Sequence, residues 1–138
     1  MASGSQNPLL REIVFSDVNV TFTPHPVTGR LPVLKNADAV KRAVRNLILT
    51  NFGERAYDPL YGGNVRALLF ENTDDPLLRD RIRREIKGAI NQYEKRASVL
   101  SVDVVVREDS NSLVIKIQFQ IVNDRFPIDL EVAIQRVR

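Results

Sequence analysis

The residues that could do chemistry in this chain are mostly carboxylates. There is no cysteine, which excludes thiol nucleophiles, thiolate metal sites and a disulfide framework. His25 is the only histidine and sits in a P-H-P run. A lone histidine makes neither a metal cluster nor a triad, so it reads as an exposed loop residue. Glu54, Asp58 and Glu71 fall in one unusual stretch, N-F-G-E-R-A-Y-D-P-L-Y-G-G-N-V-R-A-L-L-F-E, over residues 51–71. A glycosidase-like pair needs two carboxyl groups ~5–9.5 Å apart across a cleft. No spacing marks these three as such a pair. The plainer reading gives each a local job: Glu54 pairs with a neighbouring cation, Asp58 caps the turn before Pro59, and Glu71 ends a helix. Gly53, Gly62 and Gly63 match neither phosphate-cradling glycine pattern and read as turn residues.

The basic residues are the next candidates. R-D-R-I-R-R at 79–84, with Lys87, Lys95 and Arg96, could neutralise phosphates along one helix face. Asp74, Asp75, Asp80 and Glu85 interrupt the cluster, and no aromatic residues are interleaved for base stacking. A solvated face, or one meeting acidic protein, fits better. The bulk numbers agree. Net charge is +3 over 138 residues, with 43% hydrophobic and 27% charged residues, an ordinary globular balance. The length suits one domain with one core. Residues 1–8 do not resemble a signal peptide, and no apolar run approaches the ~20 residues of a membrane span. The chain is therefore expected to act, or be built into something, where it is made.

The elements that must position these residues follow from periodicity. Residues 9–34 lack helical spacing. Val18, Val20 and Phe22 suggest a short strand, after which Pro24, Pro26, Gly29 and Pro32 break regular structure. This arm is expected to lie along a partner. Val40, Ala43, Val44, Leu47 and Ile48 form one apolar stripe, predicting a helix over Ala37–Asn51 with Asn36 as its cap and Gly53 at its stop. Asn64–Glu71 predicts a short helix burying Val65, Leu68 and Leu69. Asp74-Asp75-Pro76 starts a third, which runs to Tyr93 with Leu78, Ile82, Ile86, Ala89 and Tyr93 inward and Ile90 at the border. The period then becomes two. Leu100, Val102, Val104 and Val106, then Leu113 through Ile121, then Ile128 through Ile134, give three alternating strands separated by short turns. The fold class is α+β: two main helices plus a short helix packed on a three-stranded antiparallel meander. An irregular N-terminal arm covers 1–34 and a single domain covers 35–138. Such a sheet leaves two edges that must be blunted or used.

Glu94-Lys95-Arg96 follows the third helix. The two opposite charges can point toward one partner or toward each other. Three segments together resemble the baseplate wedge family of contractile-tailed phages, which is related to the sheath-initiating subunit of type VI secretion systems. They are A-V-K-R-A-V-R-N-L-I-L-T-N-F-G-E-R at 39–55, D-P-L-Y-G-G-N-V-R-A-L-L-F-E at 58–71 and Y-E-K-R at 93–96. The arm at 15–30 is similar to members from large myoviruses. The resemblance covers about residues 12–136 and implies a structural, non-enzymatic protein. In the family this subunit resembles the interlocking part of the tail sheath protein, starts the first sheath ring and binds the helical core bundle of the wedge. It implies the tail sheath protein and other wedge proteins as partners, with tube or hub proteins as further candidates. It calls for no nucleic acid, membrane, metal or cofactor. The expected place is the tail baseplate of the virion, after assembly in the host cytoplasm. The family's Glu-Pro-Arg motif, implicated in core binding, maps onto Glu94 and Arg96. Lys95 stands where the family has proline and leaves the helix free to continue. Glu94, Lys95 and Arg96 are therefore the expected partner-binding residues. The rings of Tyr57 and Tyr61 are expected to pack at the loop corner. A nucleic-acid module and, behind it, a peptidoglycan hydrolase are the competing readings.

Overall fold

The structure, a computed structural model, describes residues 15–18, 24, 26–30, 33–69, 76–107, 109–122 and 124–135. The expectations for Val20, Phe22, His25, Phe70, Glu71, Asp74 and Asp75 lie outside them. The chain order is β1 (Ser16–Val18), β2 (Val33–Lys35), α1 (Ala37–Leu49), α2 (Val65–Leu69), α3 (Leu78–Tyr93), β3 (Ala97–Arg107), β4 (Ser112–Ile121) and β5 (Pro127–Gln135). β3, β4 and β5 form the expected antiparallel meander with β4 at its centre. No helix among the described residues is long and apolar enough to cross a membrane.

Burial explains the layers. Leu113, Ile115, Ile117, Phe119 and Ile121 of β4 all face one way and are buried. α3 lies over β3 and α1 reaches β5, so the two long helices cover this face from both sides. Their stripes are largely those the periodicity predicts: Val40, Val44, Leu47 and Ile48 from α1, where Ala39 is also buried and Ala43 only partly so, and Leu78, Ile82, Ile86 and Ala89 from α3. Ile90, placed at the border by spacing, is completely buried, while Tyr93 is only half-buried. Val65, Leu68 and Leu69 of α2 are buried as expected. One apolar residue breaks the alternation of β4. Val114 faces the outer side, between Val105 and Ala133, and is only 4% exposed.

Four local expectations need correction. Asn36 does not cap α1. Its side-chain Oδ1 instead accepts from Phe15 N at 3.2 Å, and its own N donates to Phe15 O at 2.7 Å. The side chain is spent on holding the arm, beside the β1–β2 pairing of Ser16 with Lys35. That pairing also shows regular structure resuming directly after Pro32, where the prolines argued against it. α1 stops at Leu49 rather than near Gly53, because Thr50 turns extended and sends its Oγ1 to Asn46 O at 2.6 Å. Leu100 does not point inward. Val99 pairs with Phe119 and Ser101 with Gln118, so Leu100 is the extra residue of a β-bulge and is 52% exposed. The bulge shifts the inward set to Val99, Val102, Val104 and Val106.

Two tests follow. Gly62 has φ +134, and a Cβ there would lie 2.3 Å from Thr50 O, while Gly53 (φ +82) has open space around it. Gly62→Ala should cost about 2–4 kcal/mol and Gly53→Ala about 1, read from urea midpoints at constant m-value. Phe119 is fully buried, so Phe119→Ala should cost ~3–5 kcal/mol, whereas Leu100→Ser should stay within about 0.5. Equal losses at Phe119 and Leu100 would refute the bulged register.

Candidate functional site

Backbone hydrogen bonds set the path of the loop between α1 and α2. Gly53 N donates to Pro59 O at 2.7 Å, and Tyr61 N donates to Asp58 O at 3.1 Å. Gly63 N then reaches back to Leu47 O at 2.9 Å, taking up one of the carbonyls left open at the end of α1. This close return is why Gly62 lies against Thr50. It sets α2 beside α1 and aims Tyr61 at the end of α3.

Tyr61 meets Tyr93 edge-on, with centroids 4.9 Å apart and planes at 61°. Arg55 lies over the other ring partner, Tyr61, at 3.5 Å from its centroid. These contacts bear out Tyr61 as a packing residue. Tyr57 is a correction: it is fully exposed, and every residue from Phe52 to Leu60 is exposed. The backbone ladder holds the loop without needing that ring.

One residue past Tyr93 the chain leaves α3. Glu94 N still donates to Ile90 O at 2.9 Å, but Glu94 has φ −117 and ψ 79 and ends the helix. Without a proline, the stop is made by side chains. The Glu94 carboxylate accepts from the Arg96 side chain twice, Nε to Oε1 at 2.6 Å and Nη2 to Oε2 at 2.7 Å, and from Arg96 N at 3.3 Å. Ala97 N donates to Glu94 O, and Lys95 Nζ donates to Asn91 O at the helix end. The helix therefore does not continue through Lys95, as replacing the proline suggested it could. Glu94 is the only buried charged side chain among the described residues, at 7% exposure. Arg96 is partly buried and its guanidinium stands 5.6 Å from the centroid of Phe15. The corner thus joins four segments: the loop, the exit of α3, the start of β3 and the arm. Of the two orientations open to Glu94 and Arg96, the fold shows them turned toward each other, with Lys95 exposed between them. The Phe15 contact could not be read from spacing, since the two residues lie far apart in the chain.

The other candidates are not brought together. Glu54 accepts from Asn51 Nδ2 at 2.8 Å and is exposed, as is Asp58, so local turn bonding accounts for the first. On α3, Arg83 pairs with Asp80 at 3.2 Å and reaches Asp103 at 3.8 Å, and Arg84 Nε donates to Asp80 O. The aspartate within the arginine run thus engages the cations beside it. Among the described residues no group of His, Asp or Glu could hold a metal ion.

Known proteins give this arrangement a context. Residues 35–125 match the model of the baseplate wedge protein gp25 family. The baseplate wedge protein gp25 of Enterobacteria phage T4 is 33% identical over 93 residues, 67% of this chain and 68% of that protein. Three solved structures share the fold. One is a Geobacter sulfurreducens protein described provisionally as a tail lysozyme, 24% identical with TM-score 0.68 over 78% of this chain and 97% of that one. The second is a chain of the anti-feeding prophage baseplate, 22% identical with TM-score 0.61 over 87% and 84%. The third is a chain of the contracted R2 pyocin baseplate, 16% identical with TM-score 0.51 over 83% and 98%. At these identities the likeness is one of fold, and a lysozyme description transfers no activity. The match over residues 35–125, together with the gp25 relative, shows that this chain belongs to the gp25 family of baseplate wedge proteins, structural components of phage contractile tails.

Proposed function

We propose that this subunit docks on the helical core of the baseplate wedge through the corner at residues 94–96 and, by sharing strands, starts the first ring of tail sheath. The observation that carries the docking role is the pre-formed Glu94–Arg96 pair. A carboxylate this buried, held bidentate, fixes the guanidinium in place before any partner arrives. Glu94 then acts as a positioning residue. The partner meets Arg96 and the exposed Lys95, so the matching surface on the wedge helices carries acidic side chains. Sheath initiation rests on family membership and on a sheet whose β5 edge pairs with no further strand among the described residues. The sheath protein and the other wedge proteins are the partners, with tube or hub proteins next to them. Assembly takes place in the host cytoplasm and the product is the virion baseplate.

Arg96→Ala leaves the Glu94 carboxylate buried without its partner. The purified domain should lose ~2–4 kcal/mol yet stay folded, since a domain of this size has about 5–15 in reserve. Wedge complexes should fail to form at concentrations where the wild-type chain assembles. Arg96→Lys, which keeps the charge but not the fork, should fall between the two. Normal wedge complexes from folded Arg96→Ala protein would end the docking role.

A further inference from the structure

We propose that β5, rather than β3, is the sheet edge that receives a strand, and that the incoming strand alternates apolar with basic side chains. This rests on the strand-sharing reading above and adds to it the edge and the chemistry of the guest.

The β3 edge is obstructed. The bulge at Leu100 interrupts its pairing repeat, and an incoming ladder would lose register there. α3 packs over the same strand. Arg83 starts from that helix, on the inner side of the sheet, and reaches Asp103 on the outer side. Its side chain must therefore pass across the edge of β3. At this exposure the ion pair adds little stability, but it occupies the path a guest backbone would follow.

The β5 edge is regular. Its register against β4 runs unbroken from Pro127 opposite Gln120 to Gln135 opposite Ser112, a length of about 30 Å. Among the described residues β5 pairs on one side only. Pro127 lacks an N–H but sits at the first position, where the ladder loses least.

Both faces of β5 specify the guest. On the helix side Val132 and Ile134 are buried, at 1% and 2% exposure. Ile128 and Leu130 share that face and pack against the core but are only partly buried, so the first half of the strand has some apolar surface left to cover. A guest strand alongside would place its own apolar residues there. On the outer face Asp129 and Glu131 stand at the edge of an open hollow of about 490 Å³. Asp103, Lys116 and Glu131 lie in one row across the sheet, and Asp129 accepts from Gln118 at 3.1 Å. The hollow is lined by the carboxylates of Asp103, Asp129 and Glu131 and by the ammonium of Lys116. With Arg83 engaged to Asp103 at 3.8 Å, the remaining excess of negative charge lies on the β5 side, at Asp129 and Glu131. Cationic side chains on the outer face of the guest would meet this excess at cross-strand distance. The guest is thus an extended segment of the sheath subunit carrying Lys or Arg at alternate positions and aliphatic residues between them.

The test uses the whole chain with the full-length sheath protein and follows amide hydrogen exchange by NMR. Complex formation should slow exchange of alternate β5 amides between Ile128 and Ile134 by about 100-fold, leaving β3 unchanged. Asp129→Lys with Glu131→Lys should weaken association roughly tenfold. Arg84→Glu with Lys87→Glu, beside β3, should leave it unaltered. The Arg84 and Lys87 variant should keep the wild-type unfolding midpoint, because both side chains are exposed. The Asp129 and Glu131 variant sets a like charge opposite Lys116 and should unfold slightly earlier while staying folded under the assay conditions. Protection appearing on β3, or undiminished binding by the β5 variant, would overturn the edge assignment while leaving strand sharing intact. Failure of the wild-type chain to associate with the sheath protein would remove strand sharing itself, and the edge assignment with it.

Discussion

Phe119 and its neighbours on β4 point to one side only, and the rest of the molecule is arranged around keeping that side dry. A sheet with a single apolar face needs a helical layer on that face and none on the other. α1 and α3 supply that layer from the flanks, which is why each carries one stripe and no second apolar face. The outer face is left mostly polar. Three strands under two helices also leave two edges, and the helices do not treat them alike. α3 sits over β3 and sends Arg83 around it, whereas β5 keeps a register unbroken from Pro127 to Gln135. The asymmetry of the edges is thus a consequence of how the core is roofed.

The corner beyond α3 solves a different problem. A helix has to stop, turn and feed a strand within three residues, and its last carbonyls need partners. In this chain a charged side chain does what a proline would do by fixing the backbone. Glu94 gathers the guanidinium and the backbone N–H of Arg96, and the turn closes around that hub. Burial makes the arrangement stringent, since a carboxylate out of water tolerates few alternative partners. The same burial holds the partly buried Arg96 in a fixed relation to the exposed Lys95. The loop at 51–63 supports the corner from the other side by placing Tyr61 on Tyr93. The turn chemistry that stands out in that loop is therefore used to bring two distant chain ends of helices together.

The helices and the order of the strands were legible because an amphipathic element writes its period into adjacent residues. Val65, Leu68 and Leu69 were identified as buried from spacing alone, and so were the stripes of the long helices. Alternation alone puts Leu100 inward, whereas a bulge is a property of two strands, visible only when Val99 and Ser101 are set against Phe119 and Gln118. Asn36 was misread for a related reason. Its side chain suits a cap, but Phe15 offers a competing backbone partner 21 residues away. The exposure of Tyr57 was hidden too, since an aromatic residue in a loop looks the same whether or not a surface is there to receive it.

By itself, then, the sequence determined the three helices and the strands of the meander, that the sheet has one dry face, and the family to which the three quoted segments point. Those features depend on residue type and on spacing within a contiguous window. The tertiary structure alone decided that Glu94 turns to Arg96, that Arg96 lies near Phe15, that β3 is bulged and crossed by Arg83, and that β5 is the less guarded edge. Each of these is a choice among competing partners. Such choices are settled by which groups burial and strand register bring within reach, and most of those groups come from distant parts of the chain.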